Sequence, residues 1–149
     1  MLFLAPLLFN FGFQNKFQGG LDVLPFTLAY CTWFGTIGVA QNYLWCAERA
    51  GLGSLTWLLG LLLNIGLNLV LLPRFGLAGA ACATASANLV ALLLTYQVSR
   101  LFGMRIDLGT LVYTLAPISL CFGAWVALGT WTVLAVLTLV RAKDLRAVG

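Results

Sequence analysis

Charged positions divide the chain into long apolar runs. Asp, Glu, Lys and Arg are absent from residues 23–47 (25 residues), 50–73 (24), 75–99 (25) and 108–140 (33). Within these runs apolar residues follow one another without alternation, as in Leu58-Leu59-Gly60-Leu61-Leu62-Leu63. About 20 mostly apolar residues suffice for a helix to cross the hydrocarbon core of a bilayer. In that solvent every backbone polar group must be paired internally, which leaves helices or closed barrels, and a barrel requires alternation. The pattern therefore predicts an all-α fold, a polytopic membrane helix bundle forming a single transmembrane helical domain over 1–149. Three clear spans are expected near residues 24–46, 52–72 and 77–98.

The fourth run is long for one span and short for two, and Pro117, Gly123 and Gly129 interrupt it. It can form one tilted, kinked helix, or a short helical hairpin of 108–122 and 125–141 that turns near Gly123-Ala124-Trp125. Charge separates the two. With a single last span, the side holding Lys16 and the 73–76 turn has five Lys/Arg, and the side holding Glu48-Arg49 and the 100–107 loop has three. With a hairpin, Arg49, Arg100, Arg105, Arg141, Lys143 and Arg146 share one side, against Lys16 and Arg74. Positive charge collects on the cytoplasmic side, so the six-to-two split favours the hairpin with a cytoplasmic tail. Residues 1–13 are apolar but only half a span long, with no basic start or small-residue cleavage site, unlike a signal peptide. They are expected to form a partial N-terminal span, the end of a helix in a chain that is a C-terminal fragment of a larger transporter.

Composition supports lipid as the solvent. Hydrophobic residues make up 62% and charged residues 8%, against about 25% charged in ordinary soluble domains. The net charge of +4 comes from scattered single residues rather than a basic stripe, which argues against nucleic acid as a partner. The absence of histidine removes imidazole acid–base chemistry. No nucleophile–base set, phosphate loop, dinucleotide fingerprint or carboxylate pair is present, and the acids Asp22, Glu48, Asp107 and Asp144 lie at loops or in the tail. An enzyme is not expected, nor a cofactor or metal. Cys31, Cys46, Cys82 and Cys121 form no C-x-x-C pair and are expected to be small, buried, reduced packing residues.

Chemistry inside the spans is confined to small residues and amides. Gly76, Ala80, Thr84 and Asn88 recur every four residues, as do Gly79, Ala83 and Ala87. Such stripes let membrane helices approach closely. Asn64 and Asn68 share one helix face. Buried amides in lipid require partners, so they either bond to neighbouring helices or line a polar cavity. The same alternatives hold for Gln41, Asn42 and Asn88. Arg49, beside Glu48, is either a solvated headgroup-level residue or a contact for a phosphate-bearing lipid. Pro73-Arg74 is expected to stop a helix at the opposite interface. Trp33, Trp45, Trp57, Trp125 and Trp131, with Tyr43, Tyr96 and Tyr113, read mostly as an interfacial aromatic belt.

The run Leu62-Leu-Asn64-Ile-Gly66-Leu-Asn68-Leu-Val-Leu-Leu-Pro73-Arg74-Phe75-Gly76-Leu-Ala-Gly79-Ala80-Ala-Cys-Ala83-Thr84-Ala-Ser86, with the earlier Ala47-Glu48-Arg49-Ala50-Gly51, resembles the C-terminal part of the polysaccharide flippases. These belong to the multidrug/oligosaccharidyl-lipid/polysaccharide exporter superfamily. The resemblance covers about residues 6–105 and implies the last five or so spans of a transporter with two bundles around a central cavity. It implies a multi-pass protein of the cell inner (plasma) membrane that moves lipid-linked oligosaccharide or polysaccharide precursors, as in lipopolysaccharide and cell-envelope synthesis, by alternating access. Its implied partners are membrane lipid, the lipid-linked glycan and the missing N-terminal bundle. Substrate-binding candidates are Asn64, Asn68, Asn88, Gln41, Asn42 and Arg49. A cation-coupled drug exporter of the same superfamily and a non-transporting membrane anchor or assembly subunit are the alternatives. The lack of a mid-span acid disfavours the first, and the mid-span amides disfavour the second.

Overall fold

The computed structural model describes residues 19–147, and every regular element among them is helical. Helix α1 spans Gly19–Cys46, α2 Ala50–Leu101, α3 Leu108–Leu115 and α4 Ala124–Ala147, with a 3-10 segment Ala116–Phe122 between the last two. Two stretches, Val23–Cys46 and Ala50–Leu101, are long and apolar enough to cross a membrane. The apolar stretch 1–13 and Lys16 lie outside the described residues.

Helix α1 ends in a tight reversal. Arg49 N–H donates to Leu44 O at 2.8 Å and Glu48 N–H to Trp45 O at 3.0 Å, which satisfies two of the last helical carbonyls. The closing residue, Glu48, takes φ 57°, a conformation usually left to glycine.

Helix α2 is two arms, 50–75 and 77–101, broken at Gly76 (φ 58°, ψ −139°). An L side chain would strain that backbone, and glycine carries none. The arms run antiparallel. The Thr56 and Thr95 hydroxyls are hydrogen-bonded at 3.2 Å. One turn on, Gly60 and Ala91 approach so closely that a Cβ on Gly60 would lie 2.8 Å from that of Ala91. Pro73 does not stop the helix as the sequence suggested: the first arm continues through Pro73 and Arg74, and the non-helical residue is Gly76. Proline terminates a helix only when the lost N–H and the ring clash are not accommodated, and here one turn of helix absorbs both.

The core lies between α1 and the second arm. Ala29, Trp33, Ile37 and Ala40 of α1 pack with Ala85, Ala91, Leu92 and Tyr96 of α2. Residues 29, 33, 37 and 40 follow helical spacing, so one face of α1 is buried. Trp33 is therefore not part of an interfacial belt: it is 4% exposed, and its Nε1–H donates to Thr114 O at 2.7 Å. That carbonyl is available because the helix tightens to 3-10 geometry at Ala116-Pro117, which disrupts the usual i to i+4 pairing. Tyr96 OH closes the junction, 3.3 Å from Thr114 Oγ1.

The chain reverses again at Gly123 (φ 112°). Helix α4 returns beside the preceding segment, with Tyr113 OH donating to Leu134 O at 3.2 Å and Thr130 Oγ1 bonded to Ser119 Oγ at 2.8 Å. The exterior is strongly apolar: Val39, Leu69, Phe75, Leu101, Phe122 and Trp125 are among many large hydrophobic side chains left exposed. The cysteines depart from expectation. Cys82 is half-buried, whereas Cys31, Cys46 and Cys121 are exposed on this apolar exterior. A thiol is small and weakly polar enough to occupy either location.

Candidate functional site

The stripe Gly79, Ala83 and Ala87 is buried, and at Gly79 it lies against the first arm, where a Cβ would overlap the Leu71 carbonyl. Small residues on both arms bring the backbones together and leave a narrow cleft where the side chains lengthen. Trp57, Gly60, Leu61 and Asn64 of the first arm and Ala87, Asn88 and Ala91 of the second line it, around about 100 Å³. Residues 57, 60, 61 and 64 are spaced as one helix face, as are 87, 88 and 91.

Both amides lie far from the helix ends. Asn64 precedes Gly76 by twelve residues and Asn88 follows it by twelve, which at 1.5 Å per residue is about 18 Å along each arm. The two carboxamides therefore reach one cleft at the same depth. Asn68 Nδ2–H donates to Asn64 O at 2.9 Å and also to Asn64 Oδ1. Asn88 Nδ2–H donates to Thr84 O at 2.8 Å. Each contact lies within one arm and ties the donor to the preceding helical turn. Among the described residues no partner meets Asn64 Nδ2 or Asn88 Oδ1, so one donor and one acceptor are uncommitted.

The other candidates do not join them. Gln41 is buried, and its Nε2–H donates to Gly53 O at 3.2 Å, a tie between α1 and the start of α2. Asn42, the next residue, is exposed. Arg49 is exposed at the loop end with its guanidinium 5.5 Å from the Phe102 ring centre, a cation–π contact between two loops. Tyr43 OH reinforces that junction by donating to Phe102 O at 2.9 Å. Fifteen residues separate Arg49 from Asn64, about 22 Å of helix.

Five wall residues, Trp57, Gly60, Leu61, Ala87 and Ala91, are not among the sequence candidates. Trp57, eight residues beyond Arg49 and about 12 Å into the arm, is exposed at the wall of the cleft. The seven-residue spacing of Trp57 and Asn64 carried the signal. Phe34 of α1 meets Trp57 edge-on, with ring centres 5.3 Å apart and planes at 77°.

The cleft has no catalytic set, and its polar groups are neutral donors and acceptors. Among the described residues no group of three or more His, Cys, Asp or Glu could hold a metal ion. Compared with family models, with curated proteins and with solved structures, the chain finds no match in any of the three.

Proposed function

We propose that this chain is part of an integral membrane flippase that moves lipid-linked oligosaccharide or polysaccharide precursors across the inner membrane by alternating access. The observation that carries this reading is the pair of carboxamides, Asn64 and Asn88, opening from the two arms of α2 into one cleft. An amphiphile with a phosphate–sugar headgroup must pass through hydrocarbon in which each unpaired polar group is expensive. Amide donors and acceptors at mid-depth lower that barrier, and Arg49 at the loop end can hold a phosphate through paired hydrogen bonds. The apolar exterior, the reversals at Gly76 and Gly123, and the resemblance of residues 62–86 to polysaccharide flippases support the reading. The partner is the first bundle of the same transporter.

In this arrangement α1, the two arms of α2 and the α3–α4 hairpin cross or enter the bilayer. The loops at Glu48 and Gly103 and the C-terminal tail face the cytoplasm, with Gly76 and Gly123 on the other side. Impermeant thiol reagents should label cysteines introduced beside Arg74 and Lys143 from opposite faces. Labelling of both from one face rejects the hairpin topology.

The functional test is glycan-export complementation by the intact transporter carrying Asn64→Leu, Asn88→Leu or Arg49→Ala, with membrane abundance measured in parallel. Loss of export at normal abundance is expected. Normal export, or loss that merely tracks abundance, overturns the flippase reading of this cleft.

A further inference from the structure

We infer that the cleft between the arms of α2 is a subsite for one neutral sugar ring, stacked on Trp57 and hydrogen-bonded by Asn64 and Asn88. The inference deepens the flippase reading and rests on it for the lipid-linked nature of the ligand.

The argument starts from what the cleft contains. Its seven lining residues include no cation and no acid. A phosphate brought there would lose its hydration without gaining a counter-charge, which is strongly unfavourable in a low-dielectric surrounding. A fully apolar occupant would leave the free groups of Asn64 and Asn88 unmatched. The chemistry between these extremes is a ring with C–H groups on one face and hydroxyls at its edge.

Each wall suits one part of such a ring. The indole of Trp57 offers a flat surface whose π face is electron-rich, which attracts weakly positive C–H groups. Asn64 Nδ2 is an uncommitted donor and Asn88 Oδ1 an uncommitted acceptor. A pair of neighbouring hydroxyls can satisfy both at once, since each hydroxyl donates and accepts. The other ends of the two amides are tied to Asn68 and Thr84, which limits their rotation. Gly60, Ala87 and Ala91 form a shallow floor. The Phe34 contact restrains the indole from the α1 side. The cleft holds about 100 Å³ and is open at its rim, so it can take one face and edge of a single ring and leave the rest of an oligosaccharide outside.

The test is saturation-transfer NMR on the full chain in nanodiscs of deuterated phosphatidylcholine. Hexyl β-D-glucopyranoside is the probe, with hexyl phosphate and hexanol for comparison. Saturation should concentrate on the glucoside ring C–H protons and fall at least five-fold in Trp57→Ala. Trp57→Phe should retain part of it, and Asn64→Leu and Asn88→Leu should each reduce it several-fold with unchanged helical circular dichroism. Trp131→Phe, outside the cleft, should leave it intact. Equal saturation of hexyl phosphate or hexanol overturns the inference, as does a glucoside signal that survives Trp57→Ala. Glucoside binding without any export defect in the cleft variants supports the subsite and removes the flippase reading. An export defect without glucoside binding overturns the subsite and leaves the flippase reading standing.

Discussion

Among the described residues, the hairpin of the two α2 arms and the α3–α4 hairpin are held together differently. The arms of α2 meet through Gly60, Ala87, Ala91, Thr56 and Thr95, with almost no side-chain length between the backbones. The hairpin after Asp107 meets through longer side chains. Between α3 and α4, Leu108, Val112, Tyr113, Leu134 and Leu137 surround an apolar groove of about 330 Å³. Lipid tails solvate leucine as well as another leucine does, so apolar area alone does not drive two helices together in a bilayer. Close backbone approach and a few interhelical hydrogen bonds supply the attraction, and small residues are the means to both. By this criterion the α2 hairpin is the rigid unit, and the C-terminal hairpin depends on Tyr113, Thr130 and Ser119 for its polar contacts.

Adding one methyl group at the closest point should break the rigid hairpin. A Cβ on Gly79 would overlap the Leu71 carbonyl and lie 2.9 Å from Phe75 Cβ, and a backbone carbonyl cannot rotate away. Gly79→Ala should destabilise the protein by about 3 kcal/mol, the top of the usual overpacking range. Chemical unfolding in bicelles would measure it, and a loss below about 1 kcal/mol would show that the arms are not in contact there.

Gly60→Ala tests the same seam with a built-in rescue. Its new Cβ would lie 2.8 Å from Ala91 Cβ, and the expected loss is about 2 kcal/mol. The double variant Gly60→Ala/Ala91→Gly moves the methyl group from one arm to the other and should recover most of that loss. Simple additivity of the two single changes would contradict a direct contact.

The junction that attaches α3 to the core should respond next. Trp33→Phe keeps most of the ring and deletes the donor to Thr114 O. The stranded carbonyl should reduce stability by about 1–2 kcal/mol. Accelerated amide exchange in 108–122, with the arms of α2 still protected, would identify the detachment.

These tests also separate what the residues announce from what they conceal. The helices are legible because uninterrupted apolar runs admit no other backbone-satisfying structure in lipid. The chain breaks are legible where charge or glycine marks them, at Glu48-Arg49, Gly76 and Gly123. Pro73 misleads because a proline near a helix end can be absorbed, so local propensity places the break three residues early. The pairing of Asn64 with Asn88 is hidden for a different reason: Asn68 is as close to Asn64 in sequence as helical spacing allows, and only the fold brings the second arm alongside. Trp33 illustrates the same limit. Composition assigns tryptophan to the interface, whereas its place thirteen residues before the end of α1 sets Trp33 about 20 Å along the helix.

Hydroxyl pairing across the seam should matter less than shape. The Thr56 and Thr95 hydroxyls also bond to Gly53 O and Ala91 O, each at 2.8 Å, so neither is stranded when the other is removed. Thr95→Val should therefore reduce stability by about 0.6 kcal/mol, the average for interhelical hydrogen bonds in a membrane. A loss above about 2 kcal/mol would make the hydroxyls, rather than the glycine, the main attachment between the arms.

The smallest expected effect has the opposite sign and gives the sharpest contrast. Gly66 lies on the same arm as Gly60, six residues further on, and Gly129 lies in α4; a Cβ at either would meet nothing within 4 Å. Both are inside regular helix, where glycine keeps extra freedom in the unfolded chain and contributes no packing. Gly66→Ala and Gly129→Ala should each stabilise the protein by about 0.5 kcal/mol. The same methyl group would then destabilise at Gly60 and stabilise at Gly66, less than two turns apart on one helix, and only a neighbour at the first position accounts for that reversal. Chemical unfolding of the Gly60, Gly66 and Gly129 variants in bicelles would measure the reversal, and a loss of stability at Gly66 would show that its face is covered.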